Sequence, residues 1–307
     1  MRHDRGVSRD PLDVPALRRD LCAPAGPLVR LDVVDVAAST NSELVAAVRA
    51  APQDWPAPAA LVAEHQVAGR GRAGRAWQTP PRAALTVSVL LRPRLAPAQL
   101  GWLPLLAGLA VARAVDAVGT AGTGSAALKW PNDVLLPAPD DAAGLGPFRK
   151  VAGVLVEVVP DAPGATGPAG RAVVVGVGLN VDQTADELPV ATATSLALAG
   201  LHADRGGLLA GLVRELVAAV ERLERADGEA AAAGLADEYA ARSATLGHRV
   251  RAELAGGAGV VEGEALRVAA DGGLVVAAPG GEEAGERKVT AGDVHHLRRS
   301  QPGHRAP

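Results

Sequence analysis

The folds open to this chain are limited by a glycine-rich segment at residues 69–75, which reads GRGRAGR. Its glycines have the Gly-x-Gly-x-x-Gly spacing of dinucleotide-binding folds. Those folds require a helix directly after the glycines and an acidic residue about 20 positions later. Here Pro80 and Pro81 prevent the helix, and the first acidic residue after Gly74 is Asp116. The Rossmann interpretation therefore fails, and a Walker A loop fails because no Gly-x-x-x-x-Gly-Lys-Ser/Thr sequence occurs.

Apolar patterning along the chain predicts a series of strands and helices, followed by short strands alone. Strands are predicted at 28–36, 60–64, 85–91, 126–130, 151–159 and 171–181, and helices at 39–50, 97–118, 206–225 and 229–243. Residues 137–149, rich in Pro, Gly and Asp, are predicted to form a surface loop. After Gly247, β runs at 249–254, 260–268, 274–278 and 287–290 are separated by Gly-Gly pairs, a pattern typical of a small β-barrel.

The change of character near residues 244–247 gives the predicted domain organisation. Residues 1–27 are polar and interrupted by prolines, which predicts a poorly ordered N-terminal extension with at most one short helix at 14–21. A main domain is predicted at 28–245, a small barrel at 246–299 and a tail at 300–307.

Composition excludes several kinds of site. Cys22 is the single cysteine, so an internal disulfide and a cysteine-based zinc site are impossible. Only His295 and His296 are adjacent among the seven histidines, and we interpret both as surface residues at the barrel edge. The first twenty residues lack the apolar region of a signal peptide. The longest apolar run, at 101–112, is shorter than the roughly 20 residues of a membrane-spanning helix. We therefore expect a soluble, cytoplasmic protein with no membrane partner.

The glycine-rich segment is strongly basic within a chain of net charge −3. From Arg70 to Val115 there are seven arginines and no acidic residue, which indicates either an anion-binding loop or a solvated basic turn. Three of the 31 basic residues are lysines; Lys129 opens the motif KWPND, and Lys150 precedes a buried strand. Arginines, a lysine and an amide from separate loops suit the attack of a carboxylate on the α-phosphate of ATP. Such chemistry depends on positioning and on charge stabilisation.

Four segments, in this order, closely resemble motifs of the biotin protein ligases: AEHQVAGRGRAGRAW at 63–77, LKWPNDV at 128–134, KVAGVLVEV at 150–158 and GVGLNV at 176–181. The sequences STN at 39–41, ATSL at 193–196, DGGL at 271–274 and AGDV at 291–294 fit the same family. The resemblance covers roughly residues 30–299. It implies an α+β fold of the class II aminoacyl-tRNA synthetase/biotin ligase type, with a mixed β-sheet, helices packed on one face, and a small C-terminal SH3-like β-barrel.

The resemblance also implies an enzyme that activates biotin with MgATP to biotinyl-5′-AMP. Biotin would then pass to a specific lysine of a biotin carboxyl carrier domain, in acetyl-CoA carboxylase or a related biotin-dependent carboxylase. The implied cofactors are biotin as substrate, ATP and Mg²⁺, with Mg²⁺ carried by ATP and no dedicated protein ligands. The insert at 135–149 is longer than the usual family turn, and no DNA-binding domain precedes residue 28. We therefore expect a monofunctional ligase without a specific DNA partner.

The family motifs assign site residues to positions of this sequence. Biotin binding is implied for Ser39, Thr40, Asn41, Gln66, Gly69, Arg70, Gly71, Arg72 and Lys150. Binding of ATP or the adenylate is implied for Arg72, Arg75, Trp77, Lys129, Asn132, Lys150 and Asn180. Lys150 and Arg72 are the implied catalytic residues, and Lys150 would stabilise charge on the reacting oxygens without acting as the nucleophile.

Two other functions stay open at this point. A lipoate or octanoyl ligase or transferase shares the superfamily, although the Gly-Arg segment and the Lys-Trp-Pro-Asn-Asp motif argue against it. A nucleic-acid-binding module could use the arginine segment and the small barrel. The net charge of −3 argues against such a module, and so does the presence of only one Phe and one Tyr to stack on bases.

Overall fold

The computed structural model describes residues 9–119, 125–160, 171–278, 285–290 and 292–297 of the chain. Its helices are α1 Val14–Leu21, α2 Thr40–Ala50, α3 Leu103–Val118, α4 Arg205–Arg225 and α5 Leu235–Arg242. The strands up to residue 180 are β1 Arg30–Ala37, β2 Ala59–Gln66, β3 Gly69–Arg70, β4 Ala76–Trp77, β5 Ala84–Leu91, β6 Ala127–Lys129, β7 Asp133–Ala142, β8 Gly146–Val158 and β9 Val173–Asn180. The later strands are β10 Arg249–Leu254, β11 Val260–Val268, β12 Leu274–Ala278, β13 Gly285–Val289 and β14 Gly292–His296.

Seven of these strands form one mixed sheet with the order β1-β2-β5-β9-β8-β7-β6. β1 and β2 are parallel, and the other neighbouring strands are antiparallel. The central strands β5 and β9 are rich in Val and Leu, residues that pack well on a pleated surface, and β5 is buried along its whole length. The α+β fold with a mixed sheet is confirmed.

α3 and α4 cover one face of the sheet and enclose the main core. α3 is apolar on most sides, and Pro104 lies in its first turn, where a missing N–H leaves no helical bond unmade. Within the described ranges, Pro97–Val118 is the one helical stretch long and apolar enough to cross a membrane, and 67% of its most apolar part is buried inside the protein. Its side chains pack against α4 and the sheet, as the predicted buried helix required.

The sequence predicted helices on one face of the sheet, and α3 and α4 lie there; α2 lies on the opposite face. Leu44 and Val48 of α2 pack against Leu61, Leu90 and Val174 of the sheet. The neighbouring residues of those strands face the main core instead, because side chains alternate across a strand. This packing places the first turn of α2 against β8 and β9.

The N-terminal segment does not match the expectation of a poorly ordered extension over residues 9–27, and residues 1–8 lie outside the described part of the chain. α1 forms where the short helix was predicted, and its apolar side chains are buried in the main core. Glu64 of β2 accepts a hydrogen bond from Leu12 N at 2.6 Å and forms a 2.6 Å ion pair with Arg205 of α4. These partners are 52 and 141 residues apart, so no local pattern announces them.

Residues 137–149 belong to a long hairpin and not to the surface loop that their composition predicted. β7 and β8 pair antiparallel, with an irregularity between Pro137 and Ala142. β6 pairs with β7 as far as Leu135, so Pro137 lies beyond that pairing, at a sheet edge where a missing N–H is tolerated. The prediction of a loop from proline and glycine content was therefore wrong, because the sequence does not show that this strand lies at the edge of the sheet.

The C-terminal strands form an antiparallel sheet with the order β13-β12-β11-β10-β14, which fits an SH3-like domain. β14 was not predicted, and it pairs with β10 at the end of this sheet. Two tryptophans join the sheet to the main domain: Trp102 Nε1 donates to Ala270 O at 3.0 Å, and Trp130 Nε1 donates to Gly272 O at 2.9 Å. The predicted tail at 300–307 lies outside the described residues.

Candidate active site

A cavity of about 570 Å³ lies beside the large sheet. It is covered by the glycine-rich segment of the sequence, residues 69–77, which we call the β3–β4 segment. Every site residue predicted from the sequence lines the cavity except Gly69: Ser39, Thr40, Asn41, Gln66, Arg70, Gly71, Arg72, Arg75, Trp77, Lys129, Asn132, Lys150 and Asn180. Gly69 lies directly behind, where an added Cβ would be 2.4 Å from Trp77 O. Because Gly69 has no side chain, the backbone of β3 can approach the backbone of β4 closely at Trp77.

Glycines of β8 and β9 form the floor of the cavity and allow larger side chains to lie on the sheet. A Cβ on Gly178 would be 2.4 Å from Trp77 Cε2, and a Cβ on Gly176 would be 2.1 Å from Asn41 Oδ1. The spacing of the two glycines puts both on one face of β9. Trp77 Nε1 is buried without a hydrogen-bond partner among the described residues, so the indole retains an unused donor.

One end of the cavity is a buried hydrogen-bond network at the start of α2. Gln66 Oε1 accepts from Thr40 N at 2.7 Å and from Thr40 Oγ1 at 3.1 Å. Ser88 Oγ of β5 lies 2.8 Å from Thr40 Oγ1 and 2.6 Å from Asn41 Oδ1. Ser39 precedes the helix and is buried, but its side chain makes no capping hydrogen bond. These side chains are therefore fixed for recognition of a polar, uncharged ligand group.

Two arginines of the β3–β4 segment pair with carboxylates of different domains. Arg70 Nη2 donates to both oxygens of Glu157 in β8, at 2.6 and 2.8 Å. Arg75 Nη2 donates to Asp293 Oδ1 in β14 at 2.8 Å. The basic segment is thus attached to the large sheet on one side and to the SH3-like sheet on the other.

Arg72 extends into the cavity between the two domains. Its Nη1 donates to Asn132 Oδ1 at 3.1 Å, and its Nη2 donates to Gly292 O at 3.3 Å. Burial lowers the pKa of Arg72, although nearby Asp293 and Asp133 act in the opposite direction. A guanidinium removed from water in this way interacts more strongly with a bound anion.

A single carboxylate lies beside both lysines of the cavity. Lys150 Nζ is 2.5 Å from Asp133 Oδ1, and Lys129 Nζ is 4.0 Å from Asp133 Oδ2. Burial lowers the pKa of Lys129, and Asp133 opposes that shift. Two lysines and one carboxylate make this end of the cavity positive, and Arg72 adds to the charge.

Asn132 and Asn180 are held in fixed orientations beside the lysines. Asn132 Nδ2 donates to Val154 O at 2.9 Å. Asn180 Nδ2 donates to Thr194 O at 2.9 Å, and its Oδ1 accepts from Gln183 Nε2 at 2.8 Å. These partners determine which amide atom each side chain can offer to a ligand.

The tip of the β7–β8 hairpin and strand β14 close one side of the cavity. Of the two histidines of β14, His295 is exposed, as predicted, whereas His296 is partly buried. Gly144 and His295 both line the cavity. His296 N donates to Gly144 O at 3.4 Å. Burial and the nearby Lys129 lower the pKa of His296 to about 4, so its imidazole is neutral at neutral pH.

Sequence reasoning did not identify four residues that support the site: Ser88, Asp133, Glu157 and Asp293. Signals for them existed. The absence of acidic residues from Arg70 to Val115 means that the arginines must find carboxylates elsewhere in the chain. Ser88 is a polar residue in the middle of an apolar strand, where a buried hydroxyl requires a partner.

Comparison with known proteins places these features in a family. The Biotin/lipoate A/B protein ligase family matches residues 34–180. The biotin--[acetyl-CoA-carboxylase] ligase of Mycobacterium tuberculosis is 41% identical over 299 residues, 96% of this chain and 99% of that protein. The bifunctional ligase/repressor BirA of Escherichia coli is 37% identical over 168 residues, 54% of this chain and 47% of that protein.

A solved structure agrees with the sequence comparison. The biotin protein ligase from Aquifex aeolicus, in complex with biotin and ATP, has a TM-score of 0.63 and 26% identity. The superposition covers 89% of this chain and 99% of that one. Because the similarity to the mycobacterial ligase extends over nearly the whole of both chains, this chain belongs to the biotin protein ligase family.

Proposed function

We propose that this protein is a biotin protein ligase, which activates biotin with ATP to biotinyl-5′-AMP and then transfers biotin to a lysine of a carrier domain. One observation carries the proposal. The cavity joins a buried hydrogen-bonding end, around Thr40, Asn41 and Gln66, to a positive end around Arg72 and Lys150. Biotin has matching parts, because its ureido group is polar and uncharged and its carboxylate is an anion.

The first step joins two anions. A carboxylate oxygen of biotin attacks the α-phosphorus of ATP, an O–P bond forms, the α–β phosphoanhydride bond breaks, and pyrophosphate leaves with the bonding electrons. Negative charge accumulates on the phosphate oxygens in the transition state. The Lys150 ammonium and the partly desolvated Arg72 guanidinium stabilise that charge without reorganising, which is the largest contribution that such residues make.

The second step transfers biotin to the carrier. The amine of the carrier lysine attacks the acyl carbon of the mixed anhydride, an amide forms, and AMP leaves with the electrons of the broken C–O bond while the amine loses a proton. Lys150 again stabilises charge on the leaving oxygen. It does not act as a nucleophile, because its ammonium is paired with Asp133.

The remaining site residues divide between the two substrates. We assign Ser39, Thr40, Asn41 and Gln66 to the biotin rings, and Gly69, Arg70 and Gly71 to the segment that covers them. We assign Arg75, Trp77, Lys129, Asn132 and Asn180 to ATP and the adenylate. The floor glycines support this division, since Gly176 lies beneath Asn41 and Gly178 beneath Trp77.

Mg²⁺ is proposed to enter with ATP. In the described ranges, no three His, Cys, Asp or Glu side chains lie together as a metal site. Mg²⁺ commonly binds through one or two carboxylates together with substrate phosphates, and Asp133 is the carboxylate that lines the cavity. When bound, the ion would neutralise phosphate charge.

The partner we propose is the biotin carboxyl carrier domain of acetyl-CoA carboxylase or a related biotin-dependent carboxylase, and the location is the cytoplasm. The name of the mycobacterial relative supports the carrier, and a single cysteine suits a reducing compartment. We expect no specific DNA complex, in keeping with the net charge of −3.

The deciding experiment combines purified protein, biotin, MgATP and a carrier domain. We expect one biotinyl group on one carrier lysine by mass spectrometry, and none when that lysine is replaced by arginine. Exchange of labelled pyrophosphate into ATP should depend on biotin. Exchange that depends on lipoate and not on biotin would establish the alternative activity, and specific retardation of DNA in a gel would contradict the absence of a DNA partner.

A further inference from the structure

Glu157, near the end of β8, contacts two separate parts of the cavity. Its Oε2 accepts from Asn41 Nδ2 at 2.9 Å, and both of its oxygens accept from Arg70 Nη2. Alternation along β8 places Glu157 on the same face as Gly153 and Leu155, which line the cavity. One carboxylate therefore joins the first turn of α2 to the β3–β4 segment.

The contact with Glu157 completes the hydrogen bonding of the Asn41 amide. The second hydrogen of Asn41 Nδ2 points to Leu155 O at 3.0 Å, and Asn41 Oδ1 lies 2.6 Å from Ser88 Oγ. Two acceptors on the nitrogen side and a hydroxyl on the oxygen side fix the orientation of the amide. Loss of the carboxylate contact would leave one amide hydrogen without this partner and the side chain less constrained.

The contact with Arg70 supplies a charge that the local sequence lacks. No acidic residue occurs from Arg70 to Val115, so the arginines of the segment repel one another unless distant carboxylates intervene. The Arg70 side chain is 48% exposed, and an ion pair this exposed adds little to overall stability. A weak contact suits a segment that must open to admit substrates and close before chemistry.

We infer that Glu157 is a positioning residue that couples closure of the β3–β4 segment to the orientation of Asn41 in the biotin pocket. The inference rests on the proposed function for the identity of the ligand. When Arg70 contacts the carboxylate, the segment covers the cavity and the Asn41 amide is fixed. Coupling between two sites is reciprocal, so a ligand that fixes Asn41 also stabilises the closed segment.

Tryptic digestion of the ligand-free protein tests the structural part of this inference. Trypsin cleaves after Arg72 and Arg75 when the segment opens, and mass spectrometry gives the rate at each site. We expect Glu157→Gln, which keeps the size of the side chain but removes its charge, to be cleaved several-fold faster than the wild type. Glu264→Gln, an exposed residue of β11, is the matched control and should be cleaved at the wild-type rate.

Steady-state kinetics test the coupling to the pocket. We expect Glu157→Gln to raise the KM for biotin about tenfold, the effect of losing one charge-assisted hydrogen bond, and to leave kcat unchanged. Arg70→Gln should have a similar effect. If Glu157 acts through Arg70, the double variant should be no worse than either single variant, since residues in one contact are not additive.

The outcomes separate this inference from the proposed function. Wild-type cleavage rates in Glu157→Gln, or additive effects in the double variant, would overturn the role of Glu157. A wild-type protein that makes no biotinyl-5′-AMP would overturn the function, while the digestion of the ligand-free variants would still decide whether Glu157 controls the segment.

Discussion

Lys150 Nζ lies 2.5 Å from Asp133 Oδ1, across the β7–β8 hairpin that sequence composition had suggested was a loop. Lys129 lies 4.0 Å from the same carboxylate. Because two lysines share one carboxylate, Asp133 positions the Lys150 ammonium while this end of the cavity stays positively charged. The hairpin therefore places a compact cation at the reacting end of the cavity.

Replacement of Lys150 by alanine should slow adenylate formation by a factor on the order of 10²–10³, as the loss of one preorganised donor does elsewhere. Biotin affinity should change by less than about tenfold, because the charge matters most in the transition state. Pyrophosphate–ATP exchange and isothermal titration with biotin measure the two effects. Lys150→Arg should not restore the rate, since a forked guanidinium cannot replace a point charge.

Lys288→Ala is the matched control for that experiment. Lys288 lies in β13, half exposed, and pairs with Asp271 of the SH3-like domain. Its removal should leave exchange at the wild-type rate. Near-normal turnover in Lys150→Ala would show that Lys150 does not stabilise the transition state.

Gly178→Ala should weaken ATP binding more than biotin binding. The new Cβ would lie 2.4 Å from the Trp77 ring, which must move away from the floor. Overpacking of this kind costs about 1–3 kcal/mol of unfolding free energy. Because the displaced ring would no longer lie beside the nucleotide, we expect the KM for ATP to rise about tenfold. Gly207→Ala is a suitable control, because its Cβ would meet Asp204 at 3.6 Å in the exposed first turn of α4. An unchanged KM for ATP in Gly178→Ala would argue against a nucleotide beside Trp77.

Local motifs were sufficient to predict the residues that line the cavity but not the residues that support them. The Gly-Arg segment, the KWPND motif and Lys150 each carry their signal within a few adjacent positions. Ser88, Glu157 and Asp293 come from strands that approach the cavity only in the folded sheet. Their roles depend on register and strand order, which a single sequence does not contain.

The same reason explains two of the differences between the predicted and the observed fold. The order of the N-terminal segment depends on contacts far along the chain: Leu12 and Asp10 are hydrogen-bonded to Glu64 and Arg205, and α1 packs against α4. The β7–β8 hairpin contains Pro137, which is tolerated at the edge of a sheet, and Gly146, whose φ of 60° suits the turn at the hairpin tip. By contrast, α2 was predicted within about a residue of its bounds, because the residues that begin a helix are a local signal.

Ser88→Ala should affect both stability and biotin binding. The substitution leaves Asn41 Oδ1 buried without its hydroxyl partner, which costs about 1–3 kcal/mol of unfolding free energy. It also frees the Asn41 amide, so we expect the KM for biotin to rise about tenfold. Urea denaturation and steady-state kinetics measure these changes.

Thr86→Val gives the comparison for Ser88. Thr86 lies two residues earlier in β5 and is buried. Its hydroxyl donates to the backbone Ala63 O at 2.7 Å, whereas the Ser88 hydroxyl contacts Thr40 and Asn41, which line the cavity. This variant should lose stability and keep the wild-type KM. If Ser88→Ala and Thr86→Val had the same KM for biotin, Ser88 would have no role in biotin recognition.

Arg205→Ala should destabilise the fold strongly without changing the cavity. Arg205 and Glu64 have side-chain exposures of only 6% and 5%, and removal of one partner leaves a buried carboxylate uncompensated. Such changes cost about 3–5 kcal/mol, measured as a fall in the urea midpoint. Arg267→Ala, which breaks an exposed pair with Glu286, should leave the midpoint unchanged. A wild-type midpoint in Arg205→Ala would mean that the N-terminal segment is held by apolar contacts alone.

His296 should make the protein less stable as the pH falls below neutrality. Burial beside Lys129 lowers the pKa of the folded imidazole to about 4, below its unfolded value of about 6.5, so the unfolded chain binds the proton more readily between those values. The stabilisation is complete above pH of about 6.5 and is lost as the pH approaches 4. Because the ring is partly exposed, we expect the free energy of unfolding, measured by urea denaturation, to fall by about 2 kcal/mol or less between pH 7.5 and pH 4.5. His296→Gln should flatten this pH dependence, whereas His202→Gln, an exposed histidine, should not. An identical slope in His296→Gln and wild type would assign the acid sensitivity to other groups.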